Sequence, residues 1–199
     1  MFVMGRPGAG KDTQADLLCK KFNLIRISTS DLLKKKLYNS DDSQDNELIK
    51  KEREIFESGV LNTPSWVLDV VKEYIKQLEK NDFDGRGGII FSGSPRTLFE
   101  AKGLIPFIEN IFGKENMFVI YLDIPSDVGI KRIVLRNETN PRALDENEQK
   151  LKIRMEEFEK RTRPVLEYLK NFGILITVDG TLSINKILKN IEKKIDLVN

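Results

Sequence analysis

Gly5-Arg6-Pro7-Gly8-Ala9-Gly10-Lys11-Asp12-Thr13 decides how the rest of the chain is read. Three glycines, a lysine and a threonine stand just ahead of an apolar, helix-forming stretch. Glycine lets the backbone curl so that successive N–H groups converge on an anion, where a side chain would clash. The helix that follows starts at about Lys11, and its positive end faces the same anion. Such a loop cradles phosphate. Lys11 can reach the β- and γ-phosphates, and a hydroxyl can ligate Mg²⁺. The usual spacing puts Ser or Thr directly after the lysine; here Asp12 intervenes and the hydroxyl is Thr13. A glycine-rich turn ahead of a helix is the plainer reading. Three glycines together with Lys and Thr at a helix head argue against it.

The chain has 199 residues, which suits one domain with a small insertion. It is 40% hydrophobic, enough for a full core, and 32% charged. A net charge of +2 calls for neither nucleic acid nor an anionic membrane as partner. Cys19 is the single cysteine, which excludes an intrachain disulfide and a multi-cysteine zinc site. It is expected to pack as a small hydrophobe on the first helix. The absence of histidine removes every mechanism that needs an imidazole. No apolar run approaches the roughly 20 residues of a membrane span, and no leader precedes the loop, so a soluble cytoplasmic protein is expected.

Apolar runs alternate with helical patterns. Ile89–Phe91, Phe118–Leu122 and Ile174–Val178 are continuous and rich in β-formers, as suits strands buried on both faces of a parallel sheet. Leu24–Ile27 is a weaker candidate strand, and Met1–Met4, short for a buried strand, must serve as the first. Ile184, Ile187, Leu188, Ile191 and Ile195 form one helical stripe. Leu151, Met155, Phe158, Val165 and Leu169 form another, which Pro164 is expected to bend or break. Both stripes read as core packing. Strand–helix alternation behind a phosphate loop predicts a three-layer α/β fold. Residues 30–80 are mostly helical and look inserted, with the polar run Asn39–Asn46 read as a solvated loop; Asn137–Asn147, which contains Pro141, is a second polar segment.

Further polar positions fall at strand ends, where open α/β sheets bind ligands. Ser28-Thr29-Ser30-Asp31 with Lys34 follows the second strand, Gly93-Ser94-Pro95-Arg96-Thr97 the third, and Asp179-Gly180-Thr181 the last. Arg132 and Arg136 are four apart after the fourth strand, so they share a helix face. Arg142 and Arg154 flank the short polar segment. Taken singly, an arginine on a charged helix is more often a solvated or ion-paired side chain.

Taken together and in this order, these motifs resemble the adenylate kinase family of nucleoside monophosphate kinases over essentially the whole chain. The resemblance implies a P-loop fold with a five-stranded parallel sheet, a core of residues 1–27, 63–136 and 148–199, an acceptor-binding insertion at 28–62 and a short lid at 137–147. Only five residues separate Arg136 from Arg142, too few for the β subdomain or zinc site of long-lid members. It further implies ATP as donor with Mg²⁺, a monophosphate acceptor, no nucleic acid or membrane partner, and a monomer. Gly8, Ala9, Gly10, Lys11, Asp12 and Thr13 would bind the donor, Thr13 also touching Mg²⁺. Arg132, Gly180 and Thr181 would lie at the donor base. Thr29, Lys34, Val60, Asn62, Gly93, Arg96 and Glu100 would bind the acceptor. Arg136, Arg142 and Arg154 would close on the phosphates. The acceptor oxygen is already anionic, so no strong base is needed; the task is positioning and cationic clamping, for which arginine's planar fork is suited.

The chain departs from the family pattern at several positions. Ser92 stands where an Asp usually helps hold Mg²⁺ through water. Asp12 stands in place of Gly, and either Asp12 or Asp31 could supply the missing carboxylate; a favourable acid in the first turn of a helix accounts for Asp12 equally well. Lys34 replaces an arginine, Ser30 a glycine, and the Arg142–Arg154 interval is one residue longer than usual. Glu100 replaces the glutamine that reads adenine, and an ionised carboxylate only accepts hydrogen bonds. AMP is the first choice of acceptor. CMP, UMP or GMP, and a nucleotide-binding module with little turnover, stay open as alternatives.

Overall fold

The computed structural model describes residues 1–38, 47–139 and 148–196. Five parallel strands form its centre: β1 (Phe2–Met4), β2 (Ile25–Ser28), β3 (Ile89–Ser92), β4 (Val119–Asp123) and β5 (Leu175–Asp179), in the order β2-β3-β1-β4-β5. Met1–Met4 does yield the first strand, three residues long, and it lies in the middle of the sheet. Side chains alternate between the two faces. Phe2, Met4, Phe91, Val119 and Tyr121 enter one core cluster, while Val3, Ile90, Ile120 and Leu122 enter the other. That alternation is why the central strands read as unbroken apolar runs. The Phe2 and Phe91 rings stack at 4.6 Å on one face.

The helices are α1 (Lys11–Phe22), α2 (Thr29–Tyr38), α3 (Glu47–Ser58), α4 (Pro64–Lys80), α5 (Leu98–Phe112), α6 (Ser126–Thr139), α7 (Glu148–Glu157), α8 (Arg163–Phe172) and α9 (Ile184–Asp196). α4, α5 and α8 cover the first face, and α1 and α9 the second. In α9 the stripe is split: Ile187, Ile191 and Ile195 are buried, whereas Ile184 at its head is exposed. Cys19 packs, half-buried, against the second cluster.

Two expectations are revised in detail. The run Ile174–Val178 reads as buried on both faces, yet β5 is an edge strand and only Val178 of it is fully buried. The second stripe is buried from Leu151 to Leu169, but the break falls before Pro164. A π-helical turn at Phe158–Thr162 separates α7 from α8, and Pro164 lies in the first turn of α8, where its missing N–H costs nothing. The sheet order changes direction at β1, so the loops after β1, β3 and β4 open side by side at the carboxyl edge. This is where such sheets leave a crevice.

Candidate functional site

The loop Gly5–Gly10 leaves β1 and enters α1 with Gly8 at φ +81° and Gly10 at φ +86°. Both values are in the left-handed region that only glycine adopts readily. A Cβ on Gly8 would collide with the backbone of Gly129, so the loop lies flush against the start of α6. Gly10 caps α1 without any side-chain cap bond, and a Cβ there would meet nothing within 4 Å. The head of α1 therefore opens on unfilled space, the end at which a helix favours an anion. Lys11 Nζ donates to the Arg6 carbonyl at 3.1 Å, and Thr13 is exposed in the same turn.

Opposite this loop, Thr29 begins α2 directly after β2. It is 4% exposed, and its hydroxyl has no hydrogen-bond partner among the described residues, unusual for a buried polar atom. Lys34 is exposed on the same helix. At the end of β3, Gly93 (φ +98°) leads through a cis Ser94–Pro95 peptide to Arg96. Arg96 Nε donates to the Gly93 carbonyl at 2.7 Å, its main-chain N–H donates to Glu100 at 3.0 Å, and its carbonyl accepts from the Thr162 hydroxyl at 3.0 Å. Burial pulls the Arg96 guanidinium below its ordinary pKa, with Glu100 and Asp12 acting the other way.

Glu100 forms a variant of the capping box at the start of α5, its carboxylate taking the Thr97 hydroxyl and the Arg96 N–H rather than the Thr97 N–H. Thr97 Oγ1 accepts from the Glu100 N–H at 3.2 Å, and the Thr97 hydroxyl donates to Glu100 Oε1 at 3.0 Å. Oε2 takes the Arg96 N–H and, at 3.3 Å, the Ser94 hydroxyl. Thr-x-x-Glu ahead of an apolar run signals such a box in sequence, so this structural role was legible beside the base-reading one. Burial pushes the Glu100 carboxyl up; the hydrogen bonds and Arg96 oppose it.

On the far side, Arg132 of α6 donates to the carbonyls of Gly180 (2.8 Å) and Thr181 (3.2 Å). That turn is held by Asp179, whose Oδ1 accepts from the Thr181 N–H and hydroxyl, which keep the Asp179 pKa low. Gln14 of α1 reaches the Ile184 carbonyl beside it at 3.0 Å. At the α1–β3 junction, Arg26 of β2 donates to Asp12 Oδ1 (2.8 Å) and Asp16 Oδ1 (2.7 Å), and its Nη2 lies 3.4 Å from Ser92 Oγ. Asp31 is exposed, its N–H on the Ser28 hydroxyl at 3.3 Å.

These walls enclose one cleft of about 1030 Å³. Gly8, Ala9, Gly10, Lys11, Asp12, Thr13, Thr29, Lys34, Val60, Asn62, Gly93, Arg96, Glu100, Arg132, Arg136 and Arg154 all line it. Gly180 and Thr181 stand behind Arg132. Arg142 and the lid residues 140–147, like Asn39–Asn46, lie outside the described residues. Seven basic side chains face four acidic ones: Lys11, Arg26, Lys34, Arg96, Arg132, Arg136 and Arg154 against Asp12, Asp16, Asp31 and Glu100. Asn62 is nearly buried, and its amide nitrogen is taken by the carbonyl and carboxylate of Glu52, both at 2.7 Å. Sequence reasoning missed Arg26, Asp16, Gln14 and Ile184. Arg26 and Ile184 carried a signal, being a charge inside an apolar strand and an apolar residue at a helix head beside the Asp179–Thr181 turn.

Comparison with known proteins assigns a family to this arrangement. A family model described as adenylate kinase matches residues 3–174. An adenylate kinase of Flavobacterium johnsoniae is 33% identical over 198 residues, covering 98% of this chain and 96% of that protein. One from Prochlorococcus marinus is 35% identical over 184 residues, covering 92% and 90%. One from Leptospira biflexa is 30% identical over 195 residues, covering 98% of each.

Proposed function

The chain belongs to the adenylate kinase family, and from that premise we propose that it transfers the terminal phosphoryl group of ATP to AMP, giving two ADP. The bond between the γ-phosphorus and the β–γ bridging oxygen breaks, and one forms to an oxygen of the AMP phosphate. The observation that carries this reading is the gathering of seven basic side chains and the Gly5–Gly10 loop around one cleft. Two polyanions brought together need charge neutralised and geometry fixed, and little else from the protein.

The N–H groups of loop and α1 bind the donor phosphates, with Lys11 leaving the Arg6 carbonyl to reach them. Arg96, aimed by its bond to Gly93, grips the acceptor phosphate with its two terminal nitrogens. Thr29 gives its partnerless hydroxyl to the same ligand, and Lys34, Val60 and Asn62 complete that subsite. Arg132 lies over the donor base. Arg136, Arg142 and Arg154 close on the phosphates, and closure excludes water. Thr13 is exposed at the loop, and among the described residues no group of three or more carboxylate, Cys or His ligands is gathered to hold a metal. That chemistry suits Mg²⁺ arriving with its nucleotide and keeping waters. When bound, the ion neutralises phosphate charge. Solution as a cytoplasmic monomer accords with the family; no helix among the described residues is long and apolar enough to cross a membrane.

Glu100 supports an amino-bearing base. A carboxylate offers about four acceptor sites. Three are used by Arg96, Thr97 and Ser94, leaving one on Oε1 for an exocyclic amino group. Adenine, cytosine and guanine present one; uracil and thymine do not. The test is phosphoryl transfer from Mg·ATP to AMP, CMP, UMP, GMP and dTMP, with Lys11→Ala as control. Turnover with AMP that the control abolishes is expected. Saturable ATP binding with no turnover on any acceptor refutes the kinase reading in favour of a binding module.

A further inference from the structure

The turn Gly59–Asn62 joins α3 to α4 and lines the cleft. Its backbone is held from two directions. From its own insertion, the buried Glu52 of α3 takes the Asn62 amide and, at 3.1 Å, the Thr63 N–H. From the other side come α7 and the π turn, about a hundred residues further along the chain. The Leu61 N–H donates to Glu157 Oε2 at 3.2 Å. The Leu61 carbonyl accepts from Arg161 Nη1 at 3.4 Å, and that nitrogen also donates to Glu157 Oε2 at 3.1 Å. One carboxylate and one guanidinium thus take both polar backbone groups of a single residue.

A Glu–Arg pair four apart supports its own helix. It has no need of a distant backbone to do so. Glu157 is also three residues after Arg154, on the same helix face. The Arg154 side chain runs beside Gly59, where a Cβ would meet its Cγ at 3.7 Å. We propose that Glu157 and Arg161 are positioning residues for the acceptor: they set the backbone of residues 59–62 and tie that turn to the helix carrying Arg154. This rests on the reading of the cleft as a monophosphate subsite. A ligand that favours the clamped turn also favours α7 docked against it, so acceptor binding and the placement of Arg154 become one equilibrium.

The experiment uses the whole chain with Glu157→Ala, Glu157→Gln, Arg161→Met and the Ala/Met double variant. AMP alone and ATP alone are titrated, with fluorescence of Trp66, the single tryptophan and in the first turn of α4, as readout. Initial-rate kinetics and melting curves accompany the titrations. Glu157→Ala is expected to weaken AMP binding about tenfold and raise the AMP KM to match, with ATP affinity held within about twofold. Glu157→Gln, which keeps an acceptor for Leu61, recovers most of the loss. The double variant binds AMP about as well as Glu157→Ala alone, because the two side chains act as a unit. A wild-type protein that binds no monophosphate refutes the subsite reading and this proposal with it. Wild-type AMP binding that Glu157→Ala leaves unchanged refutes the positioning role alone. An equal fall in AMP affinity, ATP affinity and melting temperature assigns the pair to helix stability and also overturns the role.

Discussion

Arg96→Lys separates the geometry of Arg96 from its charge. In the structure Arg96 Nε is committed to the Gly93 carbonyl at 2.7 Å, and the two terminal nitrogens have no hydrogen-bond partner among the described residues. That leaves a planar fork pointed by its own main chain. Lysine cannot make the Gly93 bond and the phosphate bond from separate nitrogens, so at least one charge-assisted bond is lost. Such a bond contributes about 1.5–3 kcal/mol, which converts to about a 10- to 150-fold loss in kcat/KM for AMP at 25 °C. The ATP KM should move little. Burial adds a pH signature. It lowers the pKa at this position, with no consequence for an arginine, which stays charged throughout. A lysine starts lower, at about 10.4, and the same burial brings it toward the assay range. The charged form of a base whose pKa is lowered is lost as pH rises. The variant should therefore lose further activity as pH rises, relative to wild type in the same buffers. Steady-state kinetics at several pH values measures both effects. Activity within about threefold of wild type, or a flat pH ratio, would falsify the assignment of Arg96 as a buried phosphate fork.

Glu100→Gln tests the capping box against pH. Burial raises the Glu100 pKa above its ordinary 4.5, so the folded state holds this proton more tightly than the unfolded chain; that stabilisation is full below about pH 4.5 and is lost as pH rises through the folded value. Melting temperatures should show wild type losing ground to the glutamine variant from about pH 4.5 upward, and the opposite slope would refute the burial argument. Ser92→Asp puts a carboxylate within reach of Arg26, whose Nη2 already lies 3.4 Å from Ser92 Oγ. The new group should compete with Asp12 for that guanidinium, so Mg²⁺ dependence of the rate should shift by less than about tenfold unless Arg26 is also neutralised; a larger shift in the single variant counts against the pairing. Lys34→Arg should lower the AMP KM by about 2- to 10-fold by restoring a bidentate fork on an exposed helix position, and an unchanged KM would remove Lys34 from the subsite.

Much of the fold was legible because local signals agreed. The glycines at 8 and 10 are required by left-handed backbone, and the central strands are apolar throughout because both faces are covered. Where two causes share one pattern, the sequence was ambiguous. The run at 174–178 is as apolar as a central strand yet forms an edge, and Pro164 marks a helix start whose break is a π turn upstream. At the site, residues next to the glycine and arginine motifs could be named from spacing. Glu157 and Arg161 could not, since they hold the backbone N–H and carbonyl of Leu61, and main-chain partners leave no residue type to read.

Arg26 changes how the departures from the family pattern combine. Read one at a time, Ser92 is a lost carboxylate and Asp12 an added one, with no stated relation between them. The structure brings both to a single guanidinium, with Asp16 as a third partner. An aspartate at 92 would put three carboxylates around Arg26, beside a cleft that must also admit polyphosphate. Like charges at that spacing raise one another's pKa and oppose the ligand. With serine at 92, two carboxylates share one guanidinium, and Asp12, 37% exposed as a side chain, still faces the cleft near Thr13. The neutral hydroxyl is therefore the substitution that lets Arg26 and Asp12 coexist at the loop. On the proposed reading of the loop as the donor phosphate site, Asp12 in the first turn of α1, where the helix N-terminus favours an acid, stands in for the carboxylate that the family pattern puts at the end of β3.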